Sequence, residues 1–272
     1  MSRESGYAML AAVAGITAFA LIGLQVLALS RASINVVSAR AERAQLAASA
    51  DAGFALAMDG LAADPAGAAA KGRTLNLEFA NCSLAVGIEP ESGKIPINQI
   101  NDAKAKRLFA ALGASGKRLD MLAESFKDWR NADADQDTTD PAYAALGIQP
   151  RHGNIETVEE LIRLRGMDAD FLGRLESVTT SYFSAGGAFN PDAASPLAAA
   201  VMSADDRDIK EDAEDPSVPD FKPEALDAGK LTGRFFTVEV EARDAWGGYL
   251  KRTFVVELTP YDAYPYRVRA VD

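Results

Sequence analysis

The amino-terminal apolar run is the feature that most constrains how this chain folds. Between Glu4 and Arg31 it contains no Asp, Glu, Lys or Arg, which predicts an apolar helix of about 20 to 25 residues, enough to cross a bilayer core about 30 Å thick. A secretory signal peptide has a shorter apolar core, a more basic leader and a small-x-small cleavage site. The run ends in a poor match to such a site, Ala28-Leu29-Ser30, and therefore indicates a membrane anchor.

The leader before this run ends in Gly6, directly before the aromatic Tyr7. This junction resembles the type IV prepilin signal, which a dedicated peptidase cuts after glycine on the cytoplasmic side. The resemblance implies cleavage between Gly6 and Tyr7 and N-methylation of Tyr7. Most pilins and pseudopilins carry glutamate at the fifth mature position, where this chain has Ala11. An ordinary signal anchor with a chance glycine is the alternative.

The charge balance and the single cysteine restrict the partners and the chemistry. The net charge is -11 and the pI is near 4.7, which argues against nucleic acid, because affinity for its backbone depends on Lys and Arg neutralising phosphates. A lone cysteine, Cys82, cannot form an intrachain disulfide. We expect it to be a small buried residue in a strand.

After the anchor, residues 31 to about 62 predict a continuing helix that ends at Asp64-Pro65. Apolar residues recur at helical spacing along this stalk. They are Ile34, Val37, Ala41, Ala44, Ala48, Ala52 and Leu56. One helix of about 55 residues is therefore expected to begin in the membrane and leave it as an amphipathic stalk.

Strand patterns lie on both sides of a long helical region. Residues 74–79 and 82–88 alternate around Ala80-Asn81 and predict a hairpin, as do 233–243 and 250–258 around a glycine-containing turn. Residues 266–271 are a candidate last strand. The economical fold is α+β: one antiparallel sheet packs on the stalk helix, and a helical domain is inserted between its strands.

The helical region contains two loosely similar units, each a helix, a glycine break and another helix. The breaks are at residues 113–116 and at Gly166. This arrangement resembles a helix-hairpin-helix or sterile-alpha-motif-like module, a fold often met in DNA binding. The acidic balance favours a protein-packing module instead. Trp129 and Trp246 are interpreted as core and turn packing residues.

The predicted segments follow from these patterns. They are a leader (1–6), a transmembrane helix (7–30), a periplasmic stalk (31–62), first strands (73–89), an inserted α-domain (90–205), an acidic loop (206–231) and C-terminal strands (232–272).

Four aspartates cluster in a turn-rich loop between the two helical units: Asp133, Asp135, Asp137 and Asp140. Carboxylates on alternate residues can converge on one hard cation, and calcium is the cation that suits them. The loop is not an EF-hand, because Thr138 and Ala144 stand where that motif needs glycine and glutamate. A solvated acidic loop with helix-capping aspartates is the alternative.

Several motifs occur together in an order that resembles the minor pseudopilin K family of the type II (general) secretion pathway, and the resemblance covers nearly the whole chain. They are Gly6-Tyr7 with Ala11, Ser92-Gly93-Lys94-Ile95-Pro96-Ile97-Asn98, Asp128-Trp129 followed by Asp133, Val158-Glu159-Glu160-Leu161 with Arg165-Gly166, and Gly186-Gly187 before Asn190-Pro191. Two departures bear on the calcium loop, since Asn131 stands where the family tends to have aspartate and Gly153-Asn154-Ile155 replaces a usual Pro-Phe segment.

The resemblance implies a pilin-like fold and a function without catalysis. Such a protein joins two other minor pseudopilins in a tip complex that caps and initiates a short pseudopilus, after processing by prepilin peptidase. The missing glutamate fits the cap, because that side chain is thought to meet the amino terminus of the subunit above. A bulky α-domain would also block a further subunit.

Topology is ambiguous from charge alone. Arg3 precedes the apolar run, whereas Arg31, Arg40 and Arg43 follow it, so the positive-inside rule would place the C-terminal side in the cytoplasm. Prepilin processing implies the opposite. On the resemblance we expect a single-pass inner-membrane protein with its C-terminal domain in the periplasm.

Two functions from other classes remain alternatives. A membrane-anchored helix-hairpin-helix receptor for DNA uptake should have a basic hairpin, and residues 113–118 offer only Lys117 and Arg118. A cell-envelope hydrolase needs a catalytic pair. The only histidine, His152, has no serine or cysteine motif near it and is expected to be a surface loop residue.

Overall fold

The first helix, α1 (Glu4–Ala63), passes from the amino-terminal apolar run into the folded domain without a break. The computed structural model describes residues 4–63, 73–130, 143, 147–148, 150–183, 189–204, 234–261 and 264–272. At 1.5 Å per residue α1 is about 90 Å long. It ends just before Asp64-Pro65, where a proline would remove a helical hydrogen bond and clash with the preceding turn.

Five strands form one antiparallel sheet in the order β1-β2-β5-β6-β7. Their bounds are β1 (Arg73–Phe79), β2 (Cys82–Pro90), β5 (Phe235–Asp244), β6 (Tyr249–Tyr261) and β7 (Tyr264–Val271). β2 pairs with β5 from Cys82↔Asp244 to Pro90↔Phe236, so the strands before and after the helical region lie side by side. The expected pilin-like α+β fold is confirmed.

The β1–β2 hairpin turns on the two residues that the sequence indicated. Ala80 and Asn81 have φ of 50° and 64°, the left-handed values that a two-residue type I′ hairpin turn requires at both central positions. Cys82 begins β2 and is fully buried, as expected. This turn fixes the register of the β1–β2 hairpin. The register matters because a slip of one residue would turn every core side chain of the strand to the other face of the sheet.

The sheet buries one face of α1, and the two elements approach closely. The shared core contains Leu46, Ala50, Phe54, Ala57, Met58 and Leu61 from the helix and Cys82, Leu84, Val86, Ile88, Phe236, Val238, Val240, Ala242, Phe254 and Val256 from the strands. Gly53 permits the approach, since a Cβ there would lie 2.9 Å from Cγ1 of Val240. The Phe54 and Phe254 rings stack with centroids 4.3 Å apart.

The α-domain has its own core and is built from short helices. They are α2 (Asp102–Ala111), α3 (Gly116–Arg130), α4 (Ala169–Glu176) and α5 (Pro196–Ser203), with two short strands, β3 (Ile95–Pro96) and β4 (Thr179–Thr180), that pair in parallel. Trp129, Phe109, Phe126 and Phe171 are among the buried side chains. Trp129 therefore packs in the core, as expected.

The second helical unit begins with a 3-10 helix, Val158–Arg163, where the sequence pattern suggested an α-helix. Val158, Leu161 and the following Leu164 are buried. Their spacing of three residues matches the three residues per turn of a 3-10 helix, which stacks such side chains on one line.

Trp246 is not a packing residue, and this interpretation of the sequence is wrong. It lies in the β5–β6 turn with 79% of its surface exposed. The turn is closed by backbone and Asp244 contacts that involve no side chain of the tryptophan, so nothing in the turn requires the ring.

Candidate functional site

The predicted processing residues, Gly6 and Tyr7, lie within α1, which is helical from Glu4 onward. Ala11 follows one turn later in the same helix. The structure therefore places the proposed cleavage site in the first helical turns of the anchor. Cleavage and methylation stay predictions.

The predicted calcium ligands Asp133, Asp135, Asp137 and Asp140 lie outside the described residues. Within the described ranges, no group of three or more His, Cys, Asp or Glu side chains is placed to hold a metal. The chain just before the aspartates is fixed, because α3 ends at Arg130 and carries the buried Trp129. The calcium site stays a prediction.

Tyr143, just after the four aspartates, is anchored in the α-domain core. It is 1% exposed, its ring centroid is 6.3 Å from that of Trp129, and its hydroxyl contacts the hydroxyl of Ser125. Burial raises the pKa of the Tyr143 phenol, so it is neutral at ordinary pH. The two ends of the acidic loop therefore meet on one core.

The part of α1 before the domain is exposed to solvent among the residues that the structure describes. From Ala12 to Gln45 every residue except Gly15 is exposed, including Phe19 at 77% and Leu29 at 71%. By length and composition α1 is able to cross a membrane. Exposed side chains of this apolarity are stable in lipid or against other apolar helices.

Within the domain, α1 is apolar on two opposite faces, and the sheet covers only one. Leu46, Ala50 and Phe54 face the sheet and are buried. At about 100° per residue, the stripe that the sequence marked lies on the other side of the helix. We call this stripe the outer face: Ile34, Val37, Ala41, Ala44, Ala48, Ala52 and Leu56.

The outer face is open to solvent. Ala44 and Ala48 are exposed, Ala52 is half-buried and Leu56 is 45% exposed. The stripe is therefore apolar, as the sequence indicated, but it is not the face that packs on the sheet. Its small residues allow another helix backbone to approach closely, and it continues directly into the apolar amino-terminal part of α1.

Glu91, at the junction of sheet and α-domain, is a buried structural residue that the sequence did not single out. It is 3% exposed, and its carboxylate accepts hydrogen bonds from the Thr237 hydroxyl of β5 at 2.5 Å and from the Lys94 ammonium at 2.6 Å. A buried carboxylate needs such partners. Its spacing of three residues from Lys94 was the only signal available in the sequence.

The two sequence motifs at the ends of the α-domain meet at this junction. The backbone N–H of Asn190 donates to the backbone carbonyl of Ser92 at 2.8 Å. A Cβ on Gly93 would lie 2.5 Å from the Ala193 carbonyl oxygen, so only glycine fits there. The α-domain is therefore joined to the sheet by close backbone packing as well as by Glu91.

The second glycine break, at Gly166, packs on the first turns of α3. The Arg118 guanidinium donates to the Gly166 carbonyl at 3.0 Å, pairs with Asp168 at 2.6 Å and lies over the Phe171 ring. Asp168 also caps α4 by accepting from the Phe171 amide. That amide and Arg118 lower the pKa of the Asp168 carboxyl.

His152 and its neighbours hold the loop against the end of α3. Nδ1 of His152 lies 3.1 Å from the Asp128 carbonyl, and the backbone of His152 is left-handed. Trp129 Nε1 donates to Glu160 at 3.4 Å, and Glu160 also pairs with Arg151 at 3.2 Å. These contacts connect two of the motifs noted in the sequence and have a structural role.

A long anchor helix, an antiparallel sheet packed on its second half and an inserted α-domain define a pilin-like protein with a helix able to span a membrane. Residues 79–183 match the family model for type II secretion system (T2SS), protein K. This segment runs from the end of β1 through β2 and most of the α-domain.

A solved structure shares the fold. One chain in the crystal structure of the GspK-GspI-GspJ complex from the enterotoxigenic Escherichia coli type 2 secretion system superimposes with a TM-score of 0.58. The match covers 87% of this chain and 98% of that chain at 13% sequence identity. No curated protein sequence matches the chain.

The family-model match confirms the resemblance to the minor pseudopilin K family over residues 79–183. The α-domain carries the family's sequence signal, and the architecture as a whole has the fold of a chain in the secretion complex.

Proposed function

We propose that this chain is a non-enzymatic minor pseudopilin that caps and initiates the pseudopilus in protein export across the outer membrane. It is anchored in the inner membrane, with its C-terminal domain in the periplasm. Its partners are two other minor pseudopilins, which form the tip complex with it. The family match and the shared fold support a role in type II secretion.

The position of the α-domain is the observation that carries the capping function. α1 enters the sheet at Gln45–Leu46, where the β1–β2 and β5–β6 turns lie. The α-domain leaves and rejoins the sheet near Pro90 and Phe235, at the far ends of β2 and β5. It therefore stands on the end of the sheet away from the membrane and obstructs a subunit added there.

The outer face of α1 supports assembly with other pseudopilins. It is apolar, exposed and continuous with the anchor. A surface of this kind is stabilised when a neighbouring helix covers it. We propose that partner pseudopilins pack their anchor helices on this face.

The DNA-uptake alternative loses part of its basis. Of the two basic residues in the hairpin at 113–118, Arg118 is engaged with Gly166, Asp168 and Phe171. The Arg118 guanidinium is used in contacts within the α-domain. Of the two basic residues, Lys117 is then the one left to contact DNA phosphates. The affinity of a protein for the DNA phosphate backbone falls with each Lys or Arg that does not contact it. A protein-packing role is therefore favoured for the α-domain.

Processing gives the first test of the proposal. In membranes that contain prepilin peptidase, we expect the mature chain to begin at Tyr7 with a methylated amino terminus, and without the peptidase to begin at Met1. Intact mass and amino-terminal sequencing distinguish these. An uncut chain in both samples would contradict the pseudopilin assignment.

We also propose that the loop containing Asp133, Asp135, Asp137 and Asp140 binds calcium. The donor chemistry fits, because four carboxylates close in sequence suit a hard cation that takes six to eight oxygens. Since both loop ends meet on the core at Trp129 and Tyr143, bound calcium is expected to raise the melting temperature of the α-domain by several degrees.

Titration of calcium into chelator-treated protein, followed by tryptophan fluorescence during thermal unfolding, measures this shift, because Trp129 is buried and Trp246 is already exposed in the folded state. The control is a variant in which all four aspartates are replaced by asparagine, and it should show no shift. An equal calcium shift in that variant would place the ion elsewhere. No shift in either protein would contradict the site.

A further inference from the structure

Two β-turns surround α1 where it enters the domain, and they form the membrane-proximal end of the fold. Gln45 Nε2 donates to the Ala80 carbonyl of the β1–β2 turn at 2.8 Å. In the β5–β6 turn, a Cβ on Gly248 would lie 3.1 Å from Cδ1 of Leu46. Both turns are therefore at the level of Gln45–Leu46, and α1 continues beyond them toward its amino terminus.

The β5–β6 turn presents Trp246 on a rigid support. One carboxylate oxygen of Asp244 accepts from the amides of Trp246 and Gly248, each at 2.8 Å. Gly247 supplies the positive φ of 90° that the turn needs. Trp246 is nevertheless 79% exposed. These hydrogen bonds fix the backbone that carries the ring, so the turn loses little conformational freedom on binding, which favours association.

Two further exposed aromatic residues lie at the same end of the domain, one on each face of the sheet. Tyr249 is 49% exposed and stacks under the Arg243 guanidinium at 4.8 Å. Phe79, 44% exposed, is in register with Cys82 and through it with Asp244, about 10 Å across two strand spacings. Single exposed apolar residues need no explanation, but Trp, Tyr and Arg together are the residues that dominate binding energy at interfaces.

The helix below these turns determines what can cover them. The bare segment from Arg31 to Gln45 is exposed throughout and is about 22 Å long at 1.5 Å per residue. Amphipathic surfaces enter a bilayer only about 5–10 Å deep, so the turns stand clear of the lipid when α1 crosses the membrane upright. The space around the bare segment is open to another protein anchored in the same membrane.

The charge of the bare segment indicates the partner's surface. It carries Arg31, Arg40 and Arg43 against one acid, Glu42, all of them exposed. Opposite potentials guide and orient association. A partner that fills this space therefore presents carboxylates to the helix and an apolar recess to Trp246.

We infer that the Trp246 turn is the docking point by which this subunit sits on the globular domain of a neighbouring membrane-anchored pseudopilin with an acidic surface. The inference rests on the proposed function. It adds a second contact, between globular domains, to the packing of helices along the outer face of α1.

Copurification tests the inference with the full-length chain in membranes that contain the other minor pseudopilins. Trp246→Ala should lower the recovered partner at least about tenfold, the loss expected when a central interface tryptophan is removed. The matched control is Ile162→Ala, which removes a 43% exposed apolar side chain in the α-domain, far from the turn. It should recover the partner as the unchanged chain does.

A photo-crosslinking residue at position 246 identifies what covers the turn. We expect a cross-link to the globular domain of another pseudopilin and none from position 162. Cross-links to lipid alone, or equal partner recovery with Trp246→Ala, would overturn the inference and leave the proposed function intact. If the unchanged chain recovers no pseudopilin, the proposed function itself fails and the inference with it.

Discussion

Replacing Trp129 with alanine is expected to lower the free energy of unfolding of the α-domain by about 3–5 kcal/mol. The side chain is 2% exposed and lies at the end of α3, in the single core that both helical units share. Truncation leaves a cavity beside Tyr143 and removes the donor that Glu160 accepts from. Both effects act in the same direction.

Chemical denaturation of the purified chain in detergent, followed by circular dichroism, measures this change. Trp246→Ala is the matched control, because it removes the same side chain from an exposed site and should change the unfolding free energy by less than about 0.5 kcal/mol. Equal losses from the two variants would contradict the assignment of Trp129 to the core. A small loss from Trp129→Ala alone would show that the α-domain refills the cavity.

The sheet was predictable because its signals are local. Alternating side chains mark each strand, and Ala80-Asn81 marks one turn, so the hairpins follow from neighbouring residues. Joining the two hairpins into one sheet required only that neither buries its apolar face alone. β2 and β5 pair over nine residues as a result.

The buried face of α1 was not predictable in the same way. Apolar residues surround the helix, so periodicity marks more than one stripe. The choice depends on fit with the sheet, where Gly53 lies against Val240 and Phe54 stacks on Phe254. Those partners are nearly two hundred residues away in sequence, and the stripe with the clearest spacing remained the outer face.

The junction residue Glu91 escaped prediction for the same reason. Its partner Thr237 is 146 residues away, and a single acid in a turn has no periodic signal. Its burial is apparent only when the two ends of the α-domain come together at Ser92 and Asn190. The sequence alone indicates the Ser92-Gly93 and Asn190-Pro191 motifs. The fold shows that they contact each other where the α-domain joins the sheet.

Substitutions at two alanines of α1 distinguish an effect on folding from an effect on assembly. Ala48 lies on the outer face and is exposed, whereas Ala50 faces the sheet and is fully buried. Arginine has nearly the same helix propensity as alanine, so replacing either one tests its surroundings and not the helix. Ala50→Arg forces a long charged side chain into a packed core and is expected to cost more than about 4 kcal/mol, enough to prevent folding.

Ala48→Arg is expected to leave the fold intact and to abolish assembly. In the free subunit the new side chain extends into solvent, and stability should change by less than about 0.5 kcal/mol. Against a partner helix it would place an unpaired charge in an apolar contact, a penalty of several kcal/mol that corresponds to at least about a hundredfold weaker binding.

Circular dichroism, partner copurification and a secretion assay on both variants test this pair. Ala48→Arg should be folded but recover no partner and secrete poorly, whereas Ala50→Arg should be unfolded in the first measurement. Normal copurification and secretion with Ala48→Arg would show that the outer face is not the assembly surface. Because both variants carry the same added charge two residues apart, only the direction of the side chain distinguishes them.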